Sequence, residues 1–143
     1  MSTLLEVQHL KKYFDVKSGV LHAVDDVSFS IEKGETLGVV GESGCGKSTL
    51  GRVLLHLLDN TGGRILYKGE DVTKVSRQKL SELRKEMQLI FQDPYASLNP
   101  RMTIYQTIEE PMKIAGGYSK KAMEERVYEI MDTVGLADRK SVV

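Results

Sequence analysis

A glycine-rich stretch near the end of the first third of the chain constrains the fold more than any other feature. Residues 41–49 fit the pattern G-x-x-x-x-G-K-[ST], which is typical of a phosphate-binding loop. The preceding run, Thr36–Val40, is nearly all apolar and predicts a parallel strand covered on both faces. The residues that follow, 48–58, predict a helix with one apolar face, formed by Leu50, Val53, Leu54, Leu57 and Leu58. The loop is therefore predicted to join a strand to a helix, which is the context in which such loops bind phosphate.

The residue types in this loop suit a polyphosphate ligand. Gly41, Gly44 and Gly46 can adopt positive φ, so the backbone can curve and direct its N–H groups at an anion. The helix after the loop adds its unpaired N–H groups and the positive end of its dipole. Lys47 can reach the β- and γ-phosphates as a point charge, and the Ser48 hydroxyl can bind Mg²⁺. We therefore predict nucleotide binding through Gly41, Glu42, Ser43, Gly44, Cys45, Gly46, Lys47, Ser48 and Thr49.

Composition argues against several other classes of function. The chain has 143 residues with 20 basic and 20 acidic side chains, so it has no net field that would attract nucleic acid. Cys45 is the only cysteine, which rules out an internal disulfide and fits a reducing cytoplasm. It could be a reactive thiol or simply a small loop residue. No apolar run approaches the length of a membrane-spanning helix. His9, His22 and His56 have no cysteine or histidine at ligand spacing, so we expect no metal centre there.

The hydrophobic pattern elsewhere predicts an antiparallel β region first and helices last. Apolar patterning predicts strands over 5–10, 20–24, 27–31, 64–67 and 87–91. Ser76, the capping box of Thr103 and Gln106, and Ser119 each predict the start of a helix. The pattern is helical from about residue 93 onward. We therefore predict an α/β fold with an ATP-binding core over 1–92 and a partial α-helical subdomain over 93–143.

The motifs taken together resemble the nucleotide-binding subunit of an ABC transporter. The phosphate-binding loop matches the Walker A motif of that family, and Phe91-Gln92-Asp93-Pro94 matches its Q-loop. The longer string from Phe91 to Thr103 is similar to the oligopeptide and dipeptide importer class, and the resemblance covers essentially the whole chain. It implies a P-loop NTPase fold of the ABC type that binds ATP and Mg²⁺. It also implies a peptide transport role, at a cytoplasmic location peripheral to the inner face of the cell membrane.

The same resemblance implies individual roles. Gln92 would join Ser48 in binding Mg²⁺, and the segment after Gln92 would contact a transmembrane permease subunit. Phe14 best matches the aromatic residue that stacks on adenine, with Tyr13 as the alternative. A second ATP-binding subunit would be a further partner. Without the resemblance, Gln92 is also consistent with a polar residue at the end of a strand. Phe14 and Tyr13 are likewise consistent with packing in the sheet.

The sequence departs from the family in what it does not contain. A Leu-Ser-Gly-Gly-Gln signature, an apolar strand ending in Asp-Glu, and a switch histidine are all missing from the printed sequence. We therefore expect an N-terminal portion with no catalytic residues of its own, which binds ATP without turnover. We also expect an incomplete sheet, with an unpaired edge, exposed apolar surface and marginal stability.

Two other functions fit the motif. A non-catalytic module would bind nucleotide or a permease without hydrolysis. A small P-loop kinase is the second alternative, and it should supply a lid with several arginines. The arginines after the loop helix are instead scattered, at Arg77, Arg84, Arg101, Arg126 and Arg139.

Overall fold

A computed structural model describes residues 2–93 and 97–136. These residues form two compact units, one ending at Leu89 and the other beginning at Ile90. The sequence-based division after residue 92 stays a prediction about the domains of the protein. Within the described ranges, every helix is too short or too polar to cross a lipid bilayer.

The first unit is built on an antiparallel sheet of four strands, which are β1 over Thr3–Val16, β2 over Gly19–Glu32, β3 over Gly62–Tyr67 and β4 over Glu70–Asp71. Their order in the sheet is β2-β1-β3-β4. The two long strands, β1 and β2, form a hairpin. Strand β3 pairs with the other side of β1, and β4 pairs with β3. The segments predicted as separate strands over 20–24 and 27–31 form one continuous strand. Asp25 and Asp26, which lie between the two segments, are part of this strand, and Asp26 has a left-handed φ of 56°.

Two helices cover this sheet and complete its core. Helix α1 spans Lys47–Leu54 and helix α2 spans Arg77–Glu86. Helix α1 ends earlier than the predicted Leu58, because His56 has a φ of 53°, which an α-helix cannot accommodate. The predicted cap of α2 is confirmed, since the Lys79 N–H donates to the Ser76 Oγ. The core contains Leu5, Val7, Leu10, Val24, Leu50, Val53, Ile65, Val72 and Leu83.

Two strands predicted from apolar runs do not form in the described residues. The segments 36–40 and 87–91 have no regular structure, and Val40 and Ile90 are 97% and 95% exposed. A strand depends on hydrogen bonds to a neighbouring strand, and no described residue pairs with either segment. The sheet is therefore incomplete, as the sequence predicted.

The second unit contains two packed helices, α3 over Ile104–Ala115 and α4 over Lys120–Thr133. The predicted capping box is confirmed: the Gln106 N–H donates to the Thr103 hydroxyl, and the Thr103 N–H donates to the Gln106 side chain. The predicted cap at Ser119 is confirmed as well. Val127 and Met131 are the buried residues of α4.

Candidate functional site

The glycine-rich loop enters α1 through a left-handed turn. Gly46 is the N-cap residue, with φ 80° and ψ 38°, and Gly44 has a φ of 81°. Gly41 does not use the positive φ that a glycine can adopt, since its φ lies outside that region. Gly41 is instead constrained by space, because a Cβ atom there would lie 2.6 Å from the Cys45 Sγ.

The N-terminus of α1 differs from those of the other described helices. Helices α2, α3 and α4 each begin with a serine or threonine side chain that accepts a backbone N–H. Helix α1 begins at Gly46 with no side-chain cap. Its first N–H groups therefore keep their hydrogen-bonding capacity, and the positive end of the helix dipole lies at the same place. This end of α1 suits an anion.

The Lys47 ammonium lies within the loop rather than in solvent. Its Nζ donates to the carbonyl oxygens of Gly41 and Glu42, both at 2.9 Å, and lies 3.9 Å from the Cys45 Sγ. Ser48 is exposed beside it on the first turn of α1. The arrangement places a positive charge, a hydroxyl and uncapped N–H groups together. These are the groups that a phosphate and its Mg²⁺ require.

The β1–β2 hairpin contacts the loop through a β-bulge that sequence reasoning missed. Lys12 pairs with Val24 and Tyr13 pairs with His22, so Ala23 is an extra residue on β2. A Cβ atom at Gly46 would lie only 1.9 Å from the Ala23 carbonyl oxygen. Gly46 is therefore needed for close approach as well as for its left-handed φ. The sequence indicated the glycine but gave no sign of its partner.

The two candidate aromatic residues have different surroundings. The Tyr13 ring stacks on the His22 ring at a centroid distance of 3.9 Å, and its hydroxyl donates to the Asp25 carboxylate. Phe14 pairs in register with Leu21, and the Lys12 Nζ lies 4.8 Å from its ring centroid. Because successive residues of a strand point to opposite faces, only one of the two rings can face a given ligand.

The hydrogen bond between Tyr13 and Asp25 affects the ionisation of both groups. It raises the pKa of the Tyr13 hydroxyl, because the negative carboxylate disfavours a second negative charge. It also lowers the pKa of Asp25, with the His22 ring as a further partner that stabilises the carboxylate. At neutral pH, Asp25 is therefore an ionised acceptor for a neutral tyrosine.

Gln92 belongs to the second unit and is exposed, whereas Ser48 belongs to the first. Their joint role at a metal stays a prediction. Part of the segment after Gln92, residues 94–96, lies outside the described residues, while 97–101 are exposed. Among residues 2–93 and 97–136, no three acidic, histidine or cysteine side chains gather where they could hold a metal ion.

The second unit also contains an open apolar cavity of about 610 Å³. It lies between α3, α4 and the residues just before α3. Its apolar lining includes Leu98, Met102, Ile104, Ile108, Ile130 and Val134. Leu98 and Val134 are each 58% exposed, so this surface is open to solvent in the described chain.

Comparison with known proteins identifies relatives along most of the chain. The profile of the family described as ABC transporter matches residues 24–143. The oligopeptide transport ATP-binding protein OppF of Bacillus subtilis is 54% identical over 135 residues, covering 93% of this chain and 44% of that protein. The dipeptide transport ATP-binding protein DppF of Escherichia coli is 45% identical over 139 residues, covering 93% of this chain and 42% of that protein. The chain thus spans less than half the length of these relatives.

A solved structure supports the same fold. It is described as the dimeric post-hydrolysis state of the ATP-binding cassette MJ0796 bound to ADP and Pi. It superposes with a TM-score of 0.76 at 21% identity, covering 92% of this chain and 57% of that one. The α/β cassette fold predicted from the sequence is confirmed.

Proposed function

Because this chain belongs to the ABC transporter family, we propose that it forms the nucleotide-holding part of an ATP-binding subunit that serves peptide transport. The named relatives support the transport role, since OppF and DppF are described as oligopeptide and dipeptide transport ATP-binding proteins. The observation that carries ATP binding is the uncapped N-terminus of α1 beside the Lys47 ammonium.

Each part of the site has a defined task in this proposal. The backbone N–H groups of residues 41–49 surround the phosphates, and Lys47 exchanges its bonds to the loop carbonyls for bonds to phosphate oxygens. Phe14 supplies the surface for the adenine ring, because the Tyr13 ring is already stacked on His22. Ser48 would hold Mg²⁺ through its hydroxyl. When bound, that ion offsets phosphate charge and helps orient the γ-phosphate.

The proposal limits the chain to binding. The sequence contains no signature motif, no Asp-Glu after an apolar strand and no switch histidine. With no group to orient an attacking water, bound ATP would persist. Hydrolysis would then require further residues and a second ATP-binding subunit. The absence of these motifs also favours the second candidate, a non-catalytic module that binds nucleotide or a permease.

The remaining partners follow from exposure and family. The exposed residues 97–101, which follow Gln92, are available to a transmembrane permease subunit. Docking there would hold the protein at the inner face of the membrane. Neither the balanced charge nor any motif in the sequence supports a nucleic-acid partner.

The proposed function is tested by calorimetric titration of the full chain with Mg-ATP. Lys47→Ala should weaken binding at least about tenfold, since it removes a charged hydrogen-bond donor. Lys33→Ala, at an exposed lysine in the turn after β2, is the matched control and should leave binding unchanged. Phosphate release from the same samples should be absent. Equal binding by both variants would refute the site, and phosphate release that depends on Lys47 would refute the limit to binding.

A further inference from the structure

Three side chains of the β1–β2 hairpin form a connected group that the proposed function does not use. This Tyr13 cluster consists of Tyr13 on β1 and His22 and Asp25 on β2. The Tyr13 ring lies on the His22 ring with 13° between their planes. The Asp25 carboxylate accepts the Tyr13 hydroxyl on one oxygen and lies 3.3 Å from the His22 Nδ1 on the other. Each member therefore contacts the other two.

The Tyr13 cluster encloses the bulge that contacts the phosphate-binding loop. Ala23, the extra residue of β2, lies between His22 and Asp25 in the sequence, and the pairs on either side of it are Tyr13 with His22 and Lys12 with Val24. A strand with an extra residue can change its pairing register unless contacts between side chains hold that register in place. The cluster supplies such a constraint across the strands, where the Ala23 carbonyl meets Gly46.

The Tyr13 cluster also fixes the position of the proposed adenine platform. Phe14 follows Tyr13 directly, and its partner Leu21 precedes His22. Locking Tyr13 to β2 therefore sets the height of the Phe14 ring along the hairpin, whose bulge contacts the loop at Gly46. A base and a triphosphate are bound at once only if these two surfaces keep a fixed separation.

We propose that the Tyr13 cluster is a positioning device that holds the Phe14 ring at a set distance from the phosphate-binding loop, so that this chain favours nucleotides over bare polyphosphate. This inference rests on the proposed function. It assigns His22 and Asp25 a role in selecting the ligand, although neither contacts the phosphates in the proposal.

The experiment compares Mg-ATP with inorganic tripolyphosphate, which has the phosphates but no base. Tyr13→Phe removes the hydroxyl and keeps the ring. Tyr67→Phe is its matched control, because the Tyr67 hydroxyl also donates to a carboxylate, that of Glu86, at 3.1 Å. Asp25→Ala is the second test variant. Asp26→Asn is the control for Asp25→Ala, because it removes the charge of the neighbouring carboxylate. Asparagine tolerates the left-handed φ of 56° at this position.

Both test variants should raise the Kd for Mg-ATP by about 3- to 10-fold, since one hydrogen bond that orders a ring is lost. Their affinity for tripolyphosphate should stay within about twofold, and both controls should bind like the starting protein. Equal weakening toward the two ligands would overturn the inference, because the cluster would then support only the fold. An unchanged Kd for Mg-ATP would overturn it too.

The affinities of the unmutated protein for the two ligands distinguish failure of this inference from failure of the proposed function. If it binds tripolyphosphate as tightly as Mg-ATP, phosphate binding at the loop stands, while the adenine role proposed for Phe14 and the inference that depends on it both fail. If it binds neither ligand, the proposed function fails and the inference fails with it.

Discussion

At the scale of single residues, Gly46 is the position where the loop tolerates least change. Gly46→Ala places a Cβ 1.9 Å from the Ala23 carbonyl oxygen and in a left-handed conformation with φ 80°. The backbone must move at both places, so we expect a loss of about 1–3 kcal/mol in the free energy of unfolding. Chemical denaturation followed by circular dichroism measures this loss, and titration should show that Mg-ATP binding is lost with it.

The matched control is Gly51→Ala, a substitution of the same size within α1. A Cβ atom there would meet nothing within 4 Å, and alanine favours helix over glycine. This variant should gain about 0.5–1 kcal/mol of stability. Should Gly46→Ala prove as stable as Gly51→Ala, the close approach of Ala23 to the loop would not exist in solution.

Asp71 should make the free energy of unfolding depend on pH in the acid range. Hydrogen bonds from Thr73, followed by the Arg64 guanidinium, lower the pKa of this carboxyl from 3.8 to about 2. Because the folded pKa is below the unfolded one, the contribution of Asp71 is complete above pH 3.8 and is lost as the pH falls to about 2. The difference in urea stability between the starting protein and Asp71→Asn should therefore shrink across this range. A difference that stays constant from pH 5 to about 2 would contradict the assignment.

At the scale of elements, the capping box of α3 is a separable source of stability. Thr103→Ala removes the acceptor of the Gln106 N–H, which lies 3.1 Å away. We expect a loss of about 0.5–2 kcal/mol. Thr133→Ala is the control, because the Thr133 hydroxyl donates only to the Glu129 carbonyl within α4 and caps nothing. Urea unfolding followed by circular dichroism at 222 nm, about the wavelength of the helix signal, compares the two variants. Equal losses of stability in both would show that the capping box does not stabilise α3.

Signals contained in a few neighbouring residues were predictable, and signals that need a distant partner were not. Ser76, Thr103 and Ser119 were correctly assigned as caps, since the donor lies three residues along the chain. The same holds for the start of α1 near Lys47. The early end of α1 was missed, because composition did not reveal the left-handed conformation of His56.

The failures among the strands have one physical cause. The segment 36–40 is apolar enough for a buried strand, yet its structure depends on a neighbour that no described residue provides. The contact of Ala23 with Gly46 was missed for a related reason, since Ala23 is recognised as an extra residue only from the pairing of β2 with β1. Local chemistry thus predicted the loop, but not the surface that contacts it.

At the scale of the whole molecule, the apolar segments dominate the solution behaviour that we expect. Val40 and Ile90 are almost fully exposed, and Phe91 is 50% exposed. Extended apolar segments with free N–H and C=O groups pair with other chains. The chain spans less than half the length of the relatives that it matches. On its own, the chain should associate at micromolar concentrations and bind hydrophobic dyes.

Charged substitutions in these segments test that expectation directly. Val40→Lys and Ile90→Lys should change the free energy of unfolding by less than about 0.5 kcal/mol, because these side chains are exposed, while light scattering at high concentration should fall. Ile65→Lys is the control at a fully buried position and should cost about 3 kcal/mol or more. If Val40→Lys or Ile90→Lys instead unfolds the chain as Ile65→Lys does, that segment is already buried in solution, and the chain closes its sheet without help from residues outside it.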